Sequence, residues 1–271
     1  MTVSKQPSVQ PIDKILISVA PYRFFVERIA GDAFEVVCLV PKGTNPHLYE
    51  TPPRLIENAL DAKIWFRIGE PDEKKFVHLF TQRAPVMQIV NLSEGLDLID
   101  DHACSGHHDH HHDAIDLHIW LSPRLAEQQA HKICNTLCVL SPENAPLFHK
   151  RLQVLCSELQ NLDEELVEFF KAHPTKTILI SHPSLGYFCR DYHIDQLSLE
   201  IEGKEPLPRD LLHLLDDAKA ENIRQILVQP QHELRGAERI AKELRLPLKM
   251  IDPYDENYLM NLRMIADAIG S

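Results

Sequence analysis

The chain has 271 residues, of which 44% are hydrophobic and 25% charged, a length and balance that support one large domain or two ordinary lobes and argue against disorder. Forty acidic residues against 28 basic ones leave a formal charge of -12, which attracts cations and repels phosphate backbones and anionic lipid, so no nucleic-acid partner is expected. Apolar runs such as residues 14–20 fall far short of the roughly 20 residues that a membrane span needs.

Residues 1–11 are polar and lack the apolar core of a signal peptide, so they read as a flexible tail or as what remains after a leader is removed. From there, short β-branched runs alternate with amphipathic segments. Strands are predicted at 15–19, 34–40, 63–68 and 86–90, with helices at about 23–30, 53–60 and 73–83. Pro53 and Pro71 suit first helical turns. The alternation stops after Trp120. Two helices follow, 123–140 and 142–172, split by Ser141 and Pro142. The second carries an apolar stripe at Leu152, Leu155, Leu159, Leu162, Leu166 and Phe169, and about 30 residues at 1.5 Å each span roughly 45 Å. Alternation resumes with strands at 177–181, 196–199, 225–228 and 248–251 and helices at 184–192, 208–220, 236–244 and 256–269. The expected fold is therefore α/β: two parallel-sheet βα lobes, residues 12–140 and 176–271, joined by a long helix at 142–172. In such folds ligands bind where strand ends open into loops, here in the cleft between the lobes.

Four potential metal ligands sit where apolar segments run into loops: His47, His118, His182 and Asp252. They fall at near-equal steps, two in each lobe, so that one ion in the cleft could meet all four. Taken singly, a histidine in a loop is most often a surface or capping residue. Together, three neutral imidazoles and one carboxylate suit zinc, which takes nitrogen and oxygen in tetrahedral geometry, better than manganese, which favours more oxygen. Metal binding by such a set is expected to weaken as pH falls through the imidazole range.

The motifs around these positions carry a resemblance. Gly43-Thr-Asn-Pro-His47-Leu-Tyr-Glu-Thr-Pro-Pro53, Asp116-Leu-His118-Ile-Trp-Leu-Ser-Pro123, Ser181-His182-Pro-Ser-Leu-Gly186-Tyr-Phe188, Ile201-Glu-Gly203 to Pro208, and Pro230-Gln231 followed by Asp252-Pro253 are similar to the ligand loops of the zinc-uptake (ZnuA-type) solute-binding proteins of ABC transporters, in the cluster A-I metal-binding group. The likeness runs from about Ile15 to Ile269. The family more often has Pro at 117, Asp at 183 and Glu at 229, where this chain has Leu117, Pro183 and Gln229. The resemblance implies that the protein captures Zn2+ as a transported ligand in the periplasm or another extracytoplasmic space and passes it to a membrane permease. It implies a monomer and no enzymatic activity. The manganese and iron branch of the group carries Glu where His182 stands, which favours zinc.

Residues 101–113 hold six histidines: His102, His107, His108, His110, His111 and His112. The tract is too polar to pack as core and is expected to form a loop that binds metal weakly, the alternative being a solvated loop with no part in transport. The cysteines are scattered, with no Cys-x-x-Cys pair, so a thiolate metal site is not expected, and Cys134 and Cys138, one helical turn apart, are expected to pack rather than pair. His78, His131, His149, His173 and His213 read as surface positions, and Trp65 and Trp120 as core. Other classes weighed are a manganese or iron homologue, a chelatase-like metalloenzyme and a metal-binding adhesin. The chain lacks His-Glu-x-x-His, a nucleophile elbow and a P-loop.

Overall fold

The computed structural model describes residues 12–46, 48–99, 115–200 and 208–271, with the main chain alone at 208–212. Of the sequence expectations, His47 and the histidine-rich tract lie outside the described residues.

Two four-stranded parallel sheets form the frame. The first contains β1 (Lys14–Val19), β2 (Glu35–Val40), β3 (Ala62–Arg67) and β4 (Gln88–Asn91) in the order β2-β1-β3-β4. The second contains β5 (Thr177–Ile180), β6 (Asp195–Ser198), β7 (Ile226–Val228) and β8 (Leu248–Met250) in the order β6-β5-β7-β8. The same winding is thus used twice. In each, the chain leaves the first strand to one side and crosses back to the other, the switch that opens a crevice at the carboxyl ends of the strands. Central β1 reads Lys-Ile-Leu-Ile-Ser-Val and is buried on both faces, whereas edge strand β2 alternates. Ile15, Ile17 and Val19 point into the main core, while Leu16 points to an outer cluster with Trp65 and Phe80, as the two-residue period of a strand demands.

Helices α1 (Pro21–Ala30), α2 (Pro53–Ala59) and α3 (Glu73–Arg83) cover the first sheet, and α6 (Gly186–Tyr192), α7 (Pro208–Ala220), α8 (Arg235–Leu244) and α9 (Tyr258–Gly270) the second. Between them stand α4 (Pro123–Leu140) and α5 (Ala145–Ala172). Ser122 caps α4 by accepting a hydrogen bond from Leu125 N at 3.0 Å, with Pro123 in the first turn. Pro142 opens a short 3₁₀ turn, so α5 starts three residues later than the sequence suggests. Its buried stripe ends on Phe170; Phe169, which the spacing favours, is only half-buried and stacks on His173.

At 28 residues α5 is about 42 Å long and serves both halves. Its Arg151 donates to Ala30 O at 2.7 Å, closing the end of α1 beside Gly31, whose φ of 63° and the guanidinium pressed against it leave no room for a side chain. Farther along, Leu162 and Leu166 pack in the same continuous core as Ile265 and Ile269 of α9. Trp120 is 1% exposed and donates to Pro253 O at 2.9 Å, and Tyr258 donates to Trp120 O at 2.6 Å. The loop after β8 is therefore fastened to the short 3₁₀ turn Ile119–Leu121 of the first half.

Candidate metal centre

Four polar side chains of the second half come from the carboxyl ends of consecutive strands. His182 follows β5, Glu200 follows β6, His232 follows β7 and Asp252 follows β8. His118 reaches the same crevice from the segment before the 3₁₀ turn, and its ring centroid lies 5.4 Å from that of His182. The structure thus brings together two of the predicted ligands, 64 residues apart in sequence, one from each half.

Each imidazole is held by a carboxylate. Asp116 Oδ1 accepts from His118 Nδ1 and from His118 N, both at 2.8 Å, which fixes the ring and directs the Nε2 lone pair toward the crevice, where Tyr254 Oη lies 3.1 Å away. Glu200 serves two rings, its Oε2 2.8 Å from His182 Nδ1 and its Oε1 3.1 Å from His232 Nδ1. These two rings stack at 4.3 Å with 20° between their planes. A carboxylate on one imidazole nitrogen sets the tautomer and raises the basicity of the other, the arrangement that metal-binding histidines use. Nε2 of His232 is buried and meets no hydrogen-bond partner among the described residues, and neither does Asp116 Oδ2. Buried polar atoms left without partners are costly, and a cation accepting those lone pairs would remove the cost.

The electrostatics point the same way. Burial pushes the His182 imidazole down to about 4, opposed by its hydrogen bond to Glu200, so the ring is neutral at physiological pH and ready to donate a lone pair. Burial thus moves protonation of His182 below the ordinary imidazole range. Burial opposes ionisation of Glu200, but the hydrogen bonds from His182 and His232 outweigh it and hold the carboxyl at about 2. Glu70, on the loop after β3, is raised to about 7 by burial and by Glu73, Asp72 and Asp116, against the pull of His118. Tyr254 is held above its ordinary value by burial and by Glu70, Asp116 and Asp252. Carboxyl groups from both halves therefore act on the one hydroxyl, a concentration of negative potential that a divalent cation would relieve.

Asp252 is placed differently from the histidines. Its Oδ1 accepts from Gln231 Nε2 at 2.6 Å and from Tyr254 N at 3.0 Å, and Asn261 holds its carbonyl oxygen at 2.7 Å. Glu200 and His232, rather than Asp252, supply ligand atoms that lie within 4.8 Å of one another together with that of His182. Sequence reasoning missed His232, Glu200 and Asp116 as members of the site. For His232 the signal was its place four residues after β7, on the same edge as His182. Gly186 opens α6 against Asp116; a β-carbon there would collide with Asp116 Oδ2 and come within 2.9 Å of Ile99 Cδ1. Tyr187 in turn donates to Asp116 O at 2.6 Å. A cavity of about 440 Å³, lined by His173, Lys176 and Glu221 among others, lies near the opposite, amino ends of the second sheet and away from these histidines.

Residues 15–271 match the family model described as ZnuA, zinc-uptake complex component A periplasmic. A Chlamydia muridarum protein named as a candidate metal-binding protein is 30% identical over 258 residues, covering 95% of this chain and 90% of the relative. A Bacillus subtilis protein named high-affinity zinc uptake system protein ZnuA is 27% identical over 242 residues, covering 83% and 73%. A crystal structure titled as ZnuA superposes with a TM-score of 0.88 at 29% identity, over 96% of this chain and 98% of the other.

Proposed function

Since the chain belongs to the ZnuA family of periplasmic zinc-uptake components, we propose that it is an extracytoplasmic carrier that captures Zn2+ between its two lobes and hands it to the permease of an ABC transporter. One observation carries the reading: His118 and His182, one from each half, meet at 5.4 Å between ring centroids, each with Nδ1 engaged by a carboxylate. His47 and Asp252 complete the proposed ligand set, and His232, which shares Glu200 with His182, is a further candidate. The ion is cargo, held by neutral imidazoles and released unchanged, so the protein acts as a carrier rather than a catalyst. No described helix is long and apolar enough to cross a membrane. The histidine-rich tract at 101–113 adds weak zinc binding that raises the local concentration of the ion.

Competition against a chromophoric chelator tests this in apo protein and in His47→Ala, His118→Ala, His182→Ala and Asp252→Ala variants. Removing a partner of a metal ligand costs about 10 to 100-fold in affinity, so removing a ligand itself should cost more than about 100-fold. Unchanged tight binding in His118→Ala or His182→Ala removes the site, and tighter binding of manganese than of zinc removes the assignment of cargo. Deleting residues 102–112 should spare the tight site. Zinc uptake by vesicles carrying the permease should depend on added protein.

A further inference from the structure

Cys134 and Cys138 lie one turn apart on α4, and the spacing of four residues places both thiols on one face. The α4–α5 hairpin lays His149, in the first turns of α5, against the same face. Cys134 Sγ is 3.9 Å from Cys138 Sγ and 3.8 Å from His149 Nδ1, and Cys138 Sγ is 3.7 Å from His149 Nε2. Cys138 Sγ also lies 4.0 Å from Ala145 O. Tetrahedral zinc, with Zn–S of about 2.3 Å and Zn–N of about 2.05 Å, sets two sulfurs about 3.8 Å apart and a sulfur and nitrogen about 3.6 Å apart. The two nitrogens that make these contacts belong to one ring, and with a single donor atom taken from each residue the three lie within 4.8 Å of one another, so a modest turn of the exposed imidazole completes the spacing. Cys134 is fully buried, Cys138 half-buried and His149 exposed, so an ion can approach from solvent along the imidazole and end beside the inner sulfur.

We propose that Cys134, Cys138 and His149 form a second metal site, separate from the crevice and selective for thiophilic divalent cations such as zinc and cadmium, with the fourth position open to water. Absence of a Cys-x-x-Cys pair concealed it in the sequence, because the third ligand comes from the next helix. On binding, each S–H bond breaks, the sulfur keeps the electron pair and gives it to the metal, and the two protons leave to solvent. Burial and the neighbouring Cys138 push the Cys134 thiol up to about 12, so the free protein holds it protonated and only a cation draws the proton off. Proton release by itself does not mark this site, since Glu70 in the crevice is raised to about 7 and also loses its proton to a cation; the thiolate band does mark it.

The site stands whether or not His118 and His182 bind zinc, and cobalt separates the two. Co2+ is titrated into the reduced full-length chain while the near-ultraviolet thiolate-to-cobalt charge-transfer band and proton release in weak buffer are followed. The band should develop together with proton release and persist in His118→Ala, Cys104→Ser and Cys156→Ser. It should disappear in Cys138→Ser, and His149→Ala should weaken cobalt binding severalfold; both are at solvent-accessible positions where folding survives. No charge-transfer band in the wild type, or a band that survives Cys138→Ser, overturns the proposal.

Discussion

Replacing Glu200 with glutamine changes one atom and removes the charge that orients two rings. The carboxylate accepts from His182 Nδ1 at 2.8 Å and from His232 Nδ1 at 3.1 Å. An amide keeps one acceptor oxygen and turns the other position into a donor, so one ring must shift its proton to Nε2, where it blocks a lone pair. The ring that retains the oxygen loses a charge-assisted hydrogen bond, worth about 1.5–3 kcal/mol, for a neutral one of roughly half the strength, and its nitrogen becomes a weaker base. Loss of such a partner costs about 10 to 100-fold in metal affinity, or about 1.4–2.8 kcal/mol. The assay is zinc competition against a chelator in wild type and Glu200→Gln, with imidazole tautomers read by long-range nitrogen-15 NMR. An affinity within about twofold of wild type would refute the reasoning that the carboxylate prepares these histidines for metal.

Two further outcomes are expected. Gly186→Ala should force Asp116 away from His118, with about 1–3 kcal/mol lost from overpacking and a parallel fall in zinc affinity; thermal unfolding and titration check it, and no change in either contradicts the contact described. The stability of apo protein should depend on pH through His182, whose folded-state value of about 4 lies below its ordinary 6.5. Through this group the folded chain binds fewer protons than the unfolded one in that window, so the His182 contribution is complete above 6.5 and falls by about 3 kcal/mol as pH drops toward 4. Glu70, raised to about 7, acts in the opposite sense, and the difference between wild type and His182→Gln isolates the histidine. Glu200, depressed to about 2, extends the loss below the ordinary carboxylate range. Urea unfolding between pH 7 and 4 measures the slope, which His182→Gln should flatten.

Much of this architecture was legible because the signals are local. The apolar runs that became β1 and β5 are buried on both faces and bounded by turns, and the three-and-four stepping of leucines set the length of α5 apart from its neighbours. His118 and His182 stood in motifs whose flanks, Trp120-Leu121-Ser122-Pro123 and Ser184-Leu185-Gly186, lead into the helices that follow, the first of them capped by Ser122. What the linear pattern hid are contacts between strand ends. Glu200 and His232 are 32 residues apart and 18 and 50 from His182, and only the order β6-β5-β7-β8 sets them side by side. Phe170 rather than Phe169 closes the buried stripe because the step at the end of α5 follows what α6 offers, the rings of Phe188 and Tyr192. His149 met two thiols for a similar reason, since the hairpin fixes the register between α4 and α5.

A rod of 28 residues sealed under both sheets makes the molecule stiff. Prying the halves apart far enough to wet about 400 Å² of that apolar layer would cost about 10 kcal/mol, as much as an ordinary domain has in total stability. Capture and release of an ion are therefore expected to proceed without a wide parting of the halves. Whatever docks on the protein must sense its contents at the rim, through side chains that swivel in place rather than through a backbone that travels.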